Sequence, residues 1–137
     1  GKRPLLLDIE TTLDDESHVV ALFRERGRWG AVSKTNHAVL RYRDPIYKSI
    51  RELAVSYFNE YFLEDGRKTL RSFSKPFNLL RFGERWLTSE ENLWEIDKAL
   101  EKSPHTALFP KSMAAHLRPV DPLELKATDF EEWKEKK

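Results

Sequence analysis

At 137 residues, 39% hydrophobic and 34% charged, the chain is long enough for one domain with a real core and a heavily charged surface. Its 24 Lys+Arg and 23 Asp+Glu leave a net charge of +1, without the basic excess of a nucleic-acid binder, so no nucleic-acid partner is expected. Cysteine is absent, which excludes disulfides, thiolate metal sites and a cysteine nucleophile within these residues.

Leu5 to Ile9 reads as a short apolar strand, ended by the polar loop Glu10 to Ser17. The chain opens on Gly1 without a methionine and enters this strand almost at once, so a preceding segment is expected. No apolar run reaches a membrane-spanning length and no signal-peptide pattern opens the chain, so neither membrane contact nor secretion is expected.

His18 to Arg24 and Arg28 to Lys34 read as the next two strands, joined by a hairpin in which Gly27 supplies a positive φ. With Arg26 and Gly27 in the turn, Arg24 faces Trp29, Leu22 faces Ala31 and Val20 faces Ser33. His18 and Ser33 then share a face, within about 4.5–8 Å Cβ to Cβ. Val19, Ala21 and Phe23 point the other way, so the sheet is expected to be covered on both sides.

Asp44 as N-cap and Pro45 at the first helical position predict a helix running to about Phe62. Its buried stripe is Ile46, Ile50, Leu53, Tyr57 and Tyr61. Asp65-Gly66 ends it, and Thr69 to Ser74 reads as a further strand. A second helix is predicted from Thr88 to Ser103, with Thr88 and Glu91 at capping-box spacing and Leu93, Ile96 and Leu100 on the buried face. Residues 1–110 form the core, and residues 111–137 read as a charged tail or loosely packed arm. The elements sum to an α+β fold, an antiparallel sheet with packed helices.

Two stretches carry chemistry. Asp8-Ile9-Glu10-Thr11-Thr12 resembles the metal-binding opening of DEDD-type 3′–5′ exonucleases, because carboxylates at i and i+2 on a strand share a face. Leu13 stands where that motif has glycine, and Asp44, Asp65 and Asp97 suit other local roles. His37, His105 and His116 show no metal-ligand spacing. Asp8 and Glu10 are therefore expected at a strand end facing water, with no metal and no cofactor.

The second stretch is "DDESHVVALFRERGRWGAVSKTNHAVLRYRDPIYKSIRELAVSYFNEYF", with "KTLRSFSKPFNL" and "SPHTALFP" further on. Together these resemble the C-terminal part of bacterial transglutaminase-like proteins. The resemblance implies a papain-like fold, a cytoplasmic location and thiol-dependent amide hydrolysis or acyl transfer on a protein or peptide. It implies His18 as the general base and puts Ser33 where the family usually has an orienting Asp, with Asn36 as the other candidate orienter. The nucleophilic cysteine of that chemistry would lie upstream of Gly1, so these residues alone are expected to be inactive. The rival expectation is a non-catalytic scaffold or protein-interaction domain. Homo-oligomers are expected if a missing segment leaves apolar sheet surface open.

Overall fold

Leu5, Leu7 and Ile9 alternate with Leu6, Asp8 and Glu10, giving the first strand two different faces, and the sheet grows on both sides of it. A computed structural model describes residues 5–33, 35, 37–78, 96 and 98–127. In chain order the elements are β1 (Leu5–Thr11), β2 (His18–Glu25), β3 (Arg28–Val32), β4 (Tyr42–Tyr47), α1 (Ile50–Val55), β5 (Leu70–Ser74), β6 (Phe77–Asn78), β7 (His105–Ala107) and α2 (Pro122–Ala127). Short 3-10 turns lie at Ala38–Leu40, Phe58–Glu60 and Lys111–His116. The fold is α+β, with one seven-stranded antiparallel sheet in the order β4-β3-β2-β1-β5-β7 and β6 paired to β1.

Arg26 (φ 50°) and Gly27 (φ 79°) both adopt positive φ, as a two-residue type I′ turn requires. That turn sets the expected register, Arg24 opposite Trp29 and Leu22 opposite Ala31. One face of the sheet carries Leu7, Ile9, Val20, Leu22 and Ala31 and packs against Leu53, Ala54 and Tyr57 from α1 and the turn after it. The other carries Leu6, Val19 and Phe77 and packs against Ile96 and Leu100. Both faces are thus covered, the second by the helical stretch 98–102 that ends at Ser103. The beginning of the helix expected from Thr88 lies outside the described residues.

The helix expected from Pro45 to Phe62 is corrected. Asp44 and Pro45 lie in β4, opposite an irregularity between Trp29 and Ala31 of β3. The extended backbone that proline imposes on its predecessor fits a strand as well as an N-cap, so the local signal is degenerate. Ser49 is the actual cap: its hydroxyl accepts from Glu52 N (3.1 Å), while Glu52 Oε2 accepts from Lys48 N (3.0 Å). Leu53, Tyr57 and Tyr61 of the predicted stripe are buried, but Ile46 is exposed on β4.

Beyond the sheet, Val120 is buried and donates its N–H to Gly66 O at 3.0 Å. Gly66 has φ 89°, and a Cβ there would stand 2.9 Å from Val120 O. Among the described residues, no helix is long and apolar enough to cross a membrane.

Candidate functional site

His18 opens β2 opposite Ile9 of β1, and Ser33 directly follows β3. The hairpin register brings them together: His18 Nε2 and Ser33 Oγ are 2.6 Å apart. Thr35 N donates weakly to the same hydroxyl (3.4 Å). Among the described residues, Ser33 is the only hydrogen-bond partner of the His18 ring, which leaves Nδ1 for other chemistry. Burial holds the His18 imidazole below its ordinary pKa, and His37 adds to the effect. The Tyr61 ring lies 6.2 Å from it, tilted. His18, His37, Thr35 and Tyr61 line a cleft of about 290 Å³, with Asp15 and Glu16 on its wall.

A neutral imidazole whose Nε2–H donates to Ser33 Oγ has its lone pair on Nδ1, where it can accept a proton. Serine orients that ring but brings no charge to an imidazolium, as a carboxylate would. Asn36, the alternative orienter, lies outside the described residues.

Asp8 and Glu10 point away from this cleft, because Ile9 between them shares His18's face. Asp8 does not face water as expected. It is only 4% exposed, between Leu7 and Ile9, and its N–H donates to Ser74 Oγ at 2.9 Å. Its carboxylate meets His105 of β7, with Nε2 to Oδ2 2.8 Å. Glu10 Oε2 is 3.9 Å from the same nitrogen, and Ser72 Oγ donates to Glu10 Oε1 at 2.9 Å. His105 Nδ1–H donates to Ser103 O at 2.7 Å, so Nε2 and Asp8 Oδ2 hold one proton between them. Burial raises the Asp8 carboxyl above its usual range, partly opposed by His105. Burial pulls His105 down, but its bonds to Asp8 and Ser103 and the nearby Glu10 outweigh that and leave it raised. Asp8, Glu10 and His105 each offer one ligand atom, all within 4.8 Å of one another.

Sequence spacing missed His105 because 97 positions separate it from Asp8. The usable signal was Asp8 itself. A carboxylate inside "LLLDIE" cannot be buried without a donor or a cation.

No protein-family model matches this chain, and no curated protein matches it.

Proposed function

We propose that this chain carries the general-base half of a transglutaminase-like, papain-fold thiol site. His18 is the base and Ser33 the orienting group, for amide hydrolysis or acyl transfer on a protein or peptide. One observation carries the reading: His18 Nε2 rests on Ser33 Oγ at 2.6 Å, and the same residue lines a cleft of about 290 Å³. A thiol approaching Nδ1 would pass its proton to the imidazole lone pair; the burial that lowers the His18 pKa favours the unprotonated ring but makes it a weaker base than a free imidazole. The thiol must come from outside residues 1–137, which contain none.

A second reading, a non-catalytic scaffold, is favoured by the same lack of a thiol and by Ser33 in place of a carboxylate. The nuclease reading gains His105 as a third ligand. It still lacks carboxylates for a second metal, since no other acid among the described residues joins that cluster.

The deciding experiment measures thiol alkylation against pH on the protein with its natural flanking sequence. A cysteine whose thiolate persists well below the ordinary thiol range, and which loses that property in His18→Gln, supports the base role. A chain with no thiol, or one whose alkylation ignores His18→Gln, establishes the scaffold.

A further inference from the structure

We propose that Asp8, Glu10 and His105 bind one first-row divalent transition ion, Zn2+ being the best match, and that the ion clamps β7 to β1 across β5. The site lies on the face of the sheet opposite His18 and does not depend on the thiol reading.

The donor set is mixed, two carboxylate oxygens and one imidazole nitrogen converging from strands remote in sequence. Borderline ions such as Zn2+ take that combination, whereas Mg2+ and Ca2+ prefer oxygen alone. The outer shell is also in place. Ser103 O takes the Nδ1–H of His105, which fixes the ring and aims Nε2 at the carboxylates. Ser72 Oγ fixes Glu10 from the side away from the histidine.

The charge balance points the same way. Asp8 is buried, Glu10 is beside it, and Glu101 adds to the negative field, yet among the described residues no lysine or arginine forms an ion pair with Asp8 or Glu10. Among the described residues, the single proton between Nε2 and Oδ2 is what offsets the two carboxylates. A divalent ion displacing that proton balances both carboxylates, with one proton released to solvent.

The geometry needs little adjustment. Ligand bonds of about 2.0–2.2 Å in a tetrahedral site put neighbouring ligand atoms roughly 3.3 Å apart. Against the present 2.8 Å and 3.9 Å to His105 Nε2, those two pairs must each shift by about half an ångström, and the two carboxylates, whose ligand atoms lie within 4.8 Å of each other, must close by at most about 1.5 Å. Three protein ligands leave a fourth position for water or another small ligand.

The test is calorimetric titration of tag-free full chain with ZnCl2, together with CoCl2 followed by visible absorption. The expected result is one ion per chain, with Co2+ bands of low coordination number and no competition from Mg2+. His105→Gln should weaken Zn2+ binding at least about 100-fold, more than loss of an outer-shell partner does. Glu10→Gln, a near-isosteric change in a side chain that is 43% exposed, should weaken it at least about tenfold. His18→Gln and His37→Gln should leave it unchanged. The proposal is overturned if no saturable binding occurs, if Glu10→Gln and His105→Gln bind as the parent does, or if binding is lost with His18 or His37, which would put the ion in the cleft.

Discussion

Phe23 fills the space that Gly30, its cross-strand partner, leaves by having no side chain. A Cβ on Gly30 would stand 2.5 Å from Phe23 Cζ and 2.7 Å from Arg43 O, so both a ring and a backbone would have to move. Gly30→Ala is expected to destabilise the fold by about 1–3 kcal/mol, lowering the urea midpoint with an unchanged m-value. Adding Phe23→Ala removes the ring clash but not the backbone one. The double variant should therefore fall short of the two single losses added together.

Leu53 is fully buried between α1 and the sheet, whereas Val55 on the same helix is 47% exposed. Leu53→Ala should cost about 2–5 kcal/mol through lost burial and the cavity left behind. Val55→Ala should stay within about 0.5 kcal/mol. Equal losses at the two positions, measured by chemical unfolding, would show that α1 is not docked through Leu53.

Arg43 ties β4 to the segment after α1. Its Nε donates to Ser56 Oγ at 3.0 Å and Nη1 to Val39 O at 2.9 Å, Nη2 pairs with Glu60, and its guanidinium lies 4.1 Å over the Tyr57 ring. Lysine supplies the charge but neither the planar fork nor the stacking. Arg43→Lys should lose on the order of 2 kcal/mol, close to Arg43→Ala, because the fork is what is being used. A lysine variant as stable as the parent would show that charge alone suffices.

The pH dependence follows from His18, whose folded pKa lies below its ordinary 6.5 because of burial. As pH falls through about 6.5, the unfolded chain takes a proton there that the folded chain refuses. Stability therefore declines, and the decline levels off once the folded pKa is passed. His105 acts in the opposite sense: its raised pKa contributes stability below its unfolded value that is lost as pH rises through the folded one. The readout is thus the difference between parent and His18→Gln in urea unfolding at about pH 7.5 and about pH 5.5. The variant should lose less on acidification. An equal loss would mean His18 is not shielded from solvent.

Where structure depended on neighbours in the chain, the sequence was readable. Gly27 and the alternation around it specify the β2–β3 register, and with it the meeting of His18 and Ser33. The Asp44-Pro45 pair misled because extended backbone suits both a cap and an edge strand, and the choice was made by Ser49 and Glu52. The Asp8–His105 pair was invisible to spacing, since it forms only after β5 and β7 have stacked outward from β1. Asp8 announced a need for a partner, not which partner.

Pro45 has a consequence for how copies of the molecule meet. It stands in β4, the outermost strand on its side, and offers no N–H to an incoming strand. The opposite border, β7, spans only His105–Ala107, too little to template a long ladder. Among the described residues, lateral addition of a further strand is discouraged at both borders of the sheet.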